Sequence, residues 1–106
     1  MEFLNRIELR GIVKFVSQNK VGDFIATRFT VYTESVAKDG RGGSLVEPTI
    51  FNCTAWSNTC PDAYLMKSGD VVEVVGRLRS FRYTMADGSE RAGMEVFVHE
   101  TKIINQ

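Results

Sequence analysis

Alternation of apolar and polar residues with a period of two runs through most of this chain and restricts what it can fold into. Between residues 71 and 83, one row of alternate positions is apolar, with Val72, Val74, Gly76 and Leu78. Successive side chains of a strand point to opposite faces, so this pattern predicts a strand with one buried face. Five such segments predict an all-β protein, and they cover residues 5–14, 24–34, 48–57, 71–83 and 91–104.

The period changes once, between the third and fourth predicted strands. Residues 59–62 read Thr-Cys-Pro-Asp, which is typical of a helix start with Thr59 as its cap, and Gly69 is typical of a helix stop. We therefore predict one short helix over 63–67. Five strands with a helix between the third and fourth is the element order of an OB-fold, a five-stranded, partly open Greek-key barrel. An SH3-like barrel is the nearest alternative, although it normally has no helix there.

Glycines and turn residues predict the connections between the strands. Residues 37–47 place Lys38 and Arg41 among glycines, which predicts a mobile loop that either folds over a ligand or remains a disordered hairpin tip. Asp87–Gly88 predicts a tight hairpin between the last two strands. Gly11 predicts a bend or bulge in the first strand.

Length and charge narrow the class of protein. The chain has 106 residues, which predicts a single domain over 1–106. Thirteen basic residues balance thirteen acidic ones, which excludes a polycation but leaves room for a local basic stripe. No run of about 20 apolar residues predicts a membrane span, and no leader pattern begins the chain, so a cytoplasmic, nucleoid-associated location is expected.

Catalytic and metal-dependent functions have no motif in this sequence. A phosphate-binding glycine loop and a nucleophile motif are both missing. Cys53, Cys60 and His99 show no metal-ligand spacing, and in a reducing compartment the two cysteines are expected to be free thiols. We therefore predict a protein that is not an enzyme and uses no cofactor or metal.

The fourth strand carries the residues that best suit a ligand. Opposite its apolar row it presents Arg77, Arg79, Phe81 and Tyr83. Single-stranded nucleic acid needs this mixture, because unpaired bases stack on aromatic rings and phosphates bind guanidinium groups. In the alternative interpretation, the two aromatic rings cover the end of the barrel and the arginines are simply solvated.

The third strand adds Trp56 to this face. Cys53 and Ala55 belong to the better core row, so strand alternation places Trp56 on the outer row with Asn52 and Thr54. A single tryptophan is more often buried than ligand-binding, and the alternation reverses that preference here.

Three segments resemble the bacterial single-stranded DNA-binding protein family. They are residues 5–11, residues 65–79, and the stretch that contains Tyr83-Thr84, Asp87-Gly88, Arg91 and Glu95-Val96. The resemblance spans residues 5–104. It implies an OB-fold, non-enzymatic binding of single-stranded DNA with little sequence preference in replication, recombination or repair, and a homodimer or homotetramer. The primosomal replication protein N family, which shares the fold, is a close alternative.

The family's stacking positions fall on this chain unevenly. Trp56 and Tyr83 stand where the family has aromatic residues. The family has another aromatic residue at the position of Ile50, and this chain lacks it. A further aromatic residue of the family has no counterpart here, and Tyr32 is the nearest candidate to replace it. Asn52 stands where the family has a basic residue. Both departures predict weaker binding of DNA. The predicted nucleic-acid-binding residues are Trp56, Tyr83, Phe81, Arg79, Arg77, Arg82, Arg91, Asn52, Thr54, Lys14 and Tyr32.

The family usually continues into a flexible tail with an acidic tip, and this sequence has none before Gln106. The resemblance then implies either a shortened chain or a tail-less protein that only coats DNA. Its expected partners are single-stranded DNA, further copies of itself and replication proteins. The alternative function is an OB-fold protein-interaction subunit of a replication or mobile-element complex.

Overall fold

The computed structural model describes residues 1–105 and contains one closed barrel of five strands. The strands are β1 (Ile7–Val21), β2 (Phe24–Lys38), β3 (Ser44–Trp56), β4 (Val71–Thr84) and β5 (Glu90–Ile103). Around the barrel they follow the order β1-β2-β3-β5-β4, and β4 pairs back onto β1. All five strands share this one barrel, whereas the predicted single domain also includes Gln106, which lies outside the described residues.

The predicted OB-fold is confirmed, with a barrel that is closed rather than partly open. Four of the five strand pairs are antiparallel. Closure depends on the fifth pair, in which β3 and β5 run parallel over only two residue pairs, Cys53 with Val96 and Thr54 with Phe97. Beyond this short contact the strands continue as three hairpin arms, β1–β2, β2–β3 and β4–β5, that leave the barrel.

The inward-facing rows of the strands, including the predicted row of β4, supply the core. The most completely buried side chains are small and β-branched, which suits the curved interior of a small barrel, and they are Val13, Val31, Val72, Val74, Val96, Val98 and Thr27. Leu78 was expected in this row but is 37% exposed. β4 pairs with β1 only as far as Gly76, so Leu78 lies beyond the barrel wall, where the side-chain amide of Asn5 pairs with its backbone at 2.8 and 2.9 Å.

The predicted loop over 37–47 is wrong, because both strands extend into it. β2 reaches Lys38 and β3 begins at Ser44, which leaves a turn of five residues, 39–43. The Asp39 carboxylate closes this turn by accepting hydrogen bonds from the backbone N–H groups of Arg41 and Gly43, at 2.8 and 3.0 Å. Alternation could not reveal these strand ends, because most side chains of the arm are exposed on both of its faces.

Gly11 does not form the predicted bulge. The register of β1 against β2 shifts further along, between Val13 and Val16. Gly11 instead permits a close approach of two strands, since a Cβ at this position would lie 2.1 Å from the carbonyl oxygen of Tyr32. Any larger residue would force β1 away from β2.

The predicted helix over 63–67 is reduced to one turn of 3-10 helix, Ala63–Leu65. Thr59 is not its cap. The backbone N–H groups of Thr59 and Cys60 both donate to the carbonyl oxygen of Trp56, which makes a turn that ends β3. The residue at the cap position is Asp62, whose side chain makes no capping hydrogen bond.

The predicted hairpin at Asp87–Gly88 is confirmed. The N–H of Gly88 donates to the carbonyl oxygen of Met85, and the N–H of Met85 donates to that of Ser89. This turn connects β4 to β5 and extends their arm beyond the barrel, so the aromatic end of β4 projects from the molecule.

Candidate nucleic-acid interface

An open groove of about 840 Å³ runs between the β4–β5 arm and the adjoining parts of β1, β2 and β3. Five of the predicted binding residues line it, and they are Asn52, Thr54, Arg79, Phe81 and Tyr83. Five further residues at the groove were not predicted, and they are Phe15, Ser17, Arg28, Thr30 and Glu95. Two buried residues of the barrel, Phe29 and Cys53, and the partly buried Val16 complete the lining.

The aromatic part of the groove comes from β4. The rings of Phe81 and Tyr83 are stacked, with centroids 5.9 Å apart and an interplanar angle of 28°. They are 37% and 48% exposed, so each ring retains surface for a base. β1 contributes Phe15, which is 72% exposed and lies within the shift of register between Val13 and Val16. Simple alternation fails across a bulge, which is why the sequence did not indicate Phe15.

The polar part of the groove is a block of four residues on β2 and β3. Arg28 lies opposite Thr54, and Thr30 lies opposite Asn52, so all four side chains share one face. Arg28 is exposed and forms no ion pair within the described part of the chain. The hydroxyl oxygen of Thr30 is buried and has no hydrogen-bond partner among residues 1–105.

Next to the groove, two arginines stack on one aromatic ring. The guanidinium groups of Arg77 and Arg79 lie 5.1 and 4.8 Å from the ring centroid of Phe97. This ring also contacts the ring of His99 in an edge-to-face arrangement, with centroids 5.6 Å apart. Phe97 alternates with the buried Val96 and Val98 along β5, but nothing in the sequence indicated that its ring would hold both arginines.

Arg79 is also bound by a carboxylate. Its guanidinium lies 2.5 Å from Glu95, and the hydroxyl of Thr54 donates to the other oxygen of that carboxylate at 2.9 Å. Glu95 is opposite Arg79 in the register of β4 and β5, a pairing that requires the position of the hairpin to be known.

Trp56 lies outside the groove. It is half-buried at the end of β3, opposite Ala26, which is 1% exposed. It shares a strand face with Asn52 and Thr54, as alternation predicted, but Thr54 on that face is buried and not exposed. Because Trp56 does not line the groove, its predicted role in stacking stays a prediction.

Four more predicted residues also lie away from the groove lining. The Lys14 ammonium stands over the ring of Tyr32, 5.3 Å from its centroid. The hydroxyl of Tyr32 donates to Glu34 at 2.8 Å, and this hydrogen bond raises the pKa of Tyr32. Arg91 is opposite Tyr83 and shares its face, whereas Arg82 alternates with Phe81 and Tyr83 and points to the other face of the arm.

Groups that could perform other chemistry are few. Cys53 and Cys60 are free and buried, and burial, followed by the negative charge of Glu95, raises the pKa of Cys53 to about 12. Among residues 1–105, no three His, Cys, Asp or Glu side chains are grouped to hold a metal ion. None of the helical structure in that range is long and apolar enough to cross a membrane.

An OB-fold barrel with stacked exposed aromatics, free guanidinium groups and an open groove defines an OB-fold single-strand-binding protein. The chain belongs to the Single-strand binding protein family, whose model matches residues 4–104. The resemblance predicted from the three sequence segments is therefore confirmed. Among curated proteins, none matches the sequence.

Two solved structures share the barrel. The Plasmodium falciparum SSB in complex with ssDNA superposes with a TM-score of 0.85 at 16% identity, covering 99% of this chain and 98% of that one. A deletion mutant of the single-stranded DNA binding protein from Thermus aquaticus superposes with a TM-score of 0.82 at 15% identity, covering 96% of this chain and 51% of that one. At such identities the likeness supports the fold.

Proposed function

We propose that this protein binds single-stranded DNA without catalysing a reaction, and with little sequence preference. Bases stack on Phe81 and Tyr83, while phosphates are neutralised by Arg28 and Arg77. The observation that carries the proposal is a stacked, exposed aromatic pair on the same groove as Arg28, which has no ion pair among residues 1–105.

The aromatic rings and polar groups of the groove suit the exposed bases and phosphates of an unpaired strand. Every base has a flat π face, so stacking tolerates any sequence and contributes about 1–3 kcal/mol per base. The hydroxyl of Thr30 and the amide of Asn52 add hydrogen-bonding groups beside Arg28. Base-paired DNA has no free base faces for the two rings, so duplex should bind more weakly.

Family membership and the structural neighbours support the same proposal. The family is named for single-strand binding, and the Plasmodium falciparum neighbour is a complex with ssDNA. Roles in replication, recombination or repair and a cytoplasmic, nucleoid-associated location belong to this proposal. The alternative of a protein-interaction subunit, which the likeness to primosomal protein N suggested, gains no support from the site.

Assembly into a homodimer or homotetramer is also part of the proposal. Ile12 and Val13 offer no free strand edge to a second copy, because they are bonded on both sides, to β2 and to Val71 and Asp70. From Phe15 onward β1 pairs only with β2 in the described chain, so this is the edge that a second copy could reach. Light scattering that shows only monomer at micromolar concentration would refute the assembly.

The decisive experiment is a titration of fluorescein-labelled oligo-dT of about 30 nucleotides, roughly twice the longest site of a single OB-fold. We expect its anisotropy to rise on adding protein, and binding to weaken as salt increases. The same sequence in duplex form is the control. If anisotropy does not change at low salt, the proposed function is wrong. Quenching of Trp56 in parallel would show whether the strand also reaches the end of β3.

A further inference from the structure

Glu95 places a negative charge on the surface that we propose contacts a negatively charged strand. Its side chain is 18% exposed and lines the groove. Both carboxylate oxygens are engaged, one by Arg79 at 2.5 Å and the other by the hydroxyl of Thr54 at 2.9 Å. These contacts hold the carboxylate in place between β3 and β4.

Arg77 and Arg79 share one ring and differ in their ion pairing. Both guanidinium groups stack on Phe97, at 5.1 and 4.8 Å from its centroid. Within residues 1–105, Arg79 is paired with a carboxylate and Arg77 is not. A guanidinium with a carboxylate partner is neutralised and held by a charge-assisted hydrogen bond. A phosphate that approached it would also meet the repulsion of that carboxylate.

We infer that Glu95 is a positioning residue that holds Arg79 flat on Phe97 and keeps it from binding phosphate. Arg77 then neutralises a phosphate, whereas Arg79 offers its plane as a surface on which a base can stack. Glu95 thereby limits both the affinity for single-stranded DNA and its dependence on salt. This inference rests on the proposed function. It assigns different roles to Arg77 and Arg79, which strand alternation places on the same row.

The salt dependence of binding measures the number of phosphates neutralised. For single strands, the slope of log K against log salt concentration is about −0.7 for each phosphate. In E95Q the released Arg79 gains a phosphate, so we expect tighter binding of oligo-dT and a slope steeper by about 0.7. E95D retains the charge and should restore the slope of the unmodified protein.

The matched control is E73Q, which changes the net charge equally. Glu73 is paired with Arg10 at 3.1 Å and neither residue lines the groove, so this variant also releases an arginine. It should leave the slope near that of the unmodified protein. Equal steepening in E73Q and E95Q would overturn the inference, since a general charge effect would then explain both.

A second pair of variants tests the inference without altering Glu95. R77Q should flatten the slope by about 0.7, whereas R79Q should leave the slope nearly unchanged. In a protein that already carries R79Q, E95Q should no longer steepen the slope, because no arginine is released. Equal flattening by R77Q and R79Q, or steepening by E95Q when Arg79 is absent, would contradict the assigned roles. Absence of any binding by the unmodified protein would instead contradict the proposed function.

Discussion

The ring of Phe81 lies directly against the backbone of Gly93, its cross-strand partner on β5. A Cβ at residue 93 would lie 2.7 Å from Cζ of the ring and 3.2 Å from both Cε atoms. The missing side chain therefore lets the ring lie flat across the neighbouring strand, where it also stacks with Tyr83. An aromatic ring over a strand glycine covers backbone that would otherwise be exposed.

Replacing Gly93 with alanine should displace this ring and weaken DNA binding. The methyl group has no space unless Phe81 moves, so the stack with Tyr83 is disturbed and we expect a loss of about 1 kcal/mol in binding. Met94→Ala is the control, because Met94 is exposed and does not line the groove. Anisotropy titrations give the affinities, and thermal melts show whether folding is preserved. Unchanged affinity in a folded Gly93→Ala protein would contradict this use of the ring.

Replacing Tyr83 with alanine should cost about 1–3 kcal/mol of binding, which is the contribution of one stacked base. Its ring is 48% exposed at the groove, so it contributes little to the barrel core and stability should change little. Tyr64→Ala is a matched control, since Tyr64 is 56% exposed on the 3-10 turn and lies away from the groove. The stacking role is wrong if both variants bind oligo-dT as the unmodified protein does.

Replacing Arg28 with glutamine should reduce both the affinity and its salt dependence. Arg28 is the groove's arginine without an ion pair in the described chain, so its loss removes one phosphate contact and flattens the slope by about 0.7. Lys20→Gln removes the same charge from an exposed site near the β1–β2 turn and should leave the slope unchanged. Equal flattening in both variants would show that Arg28 acts only through net charge.

Alkaline pH should destabilise the folded protein partly through Cys53. Burial raises the pKa of this thiol from 9.0 to about 12, so above pH 9 the unfolded chain releases a proton that the folded chain retains. The unfolded state then binds fewer protons, and the free energy of unfolding falls by up to about 1.4 kcal/mol per pH unit until the folded pKa is reached.

The comparison that isolates this effect is Cys53→Ala. The variant should be less stable at pH 8 because it removes a buried side chain, but its stability should fall less steeply above pH 9. Urea unfolding at several pH values between about 8 and 11 measures how steeply the free energy of unfolding falls with pH in each protein. The raised pKa values of Cys60 and Tyr32 affect both proteins equally, so they do not change the comparison. Parallel slopes would contradict the shift assigned to Cys53.

The sequence determined the barrel and one strand of its site. Alternation in β4 separated buried Val72 and Val74 from the row of Arg77, Arg79 and Phe81, because side chains on a strand alternate wherever one face is buried. Alternation does not reveal a strand when neither of its faces is buried. The β2–β3 arm is exposed on both faces, and its outer ends were therefore interpreted as a loop.

Only the tertiary structure decided which residues meet across strands. Phe15 reaches the groove through a bulge, Arg28 lies opposite Thr54, and Glu95 binds Arg79. These contacts depend on cross-strand register, which joins residues distant in sequence and shifts by whole residues at a bulge. Local alternation assigns a side chain to a face, whereas register decides its neighbours. The barrel could therefore be predicted from the sequence, while the unequal pairing of two similar arginines could not.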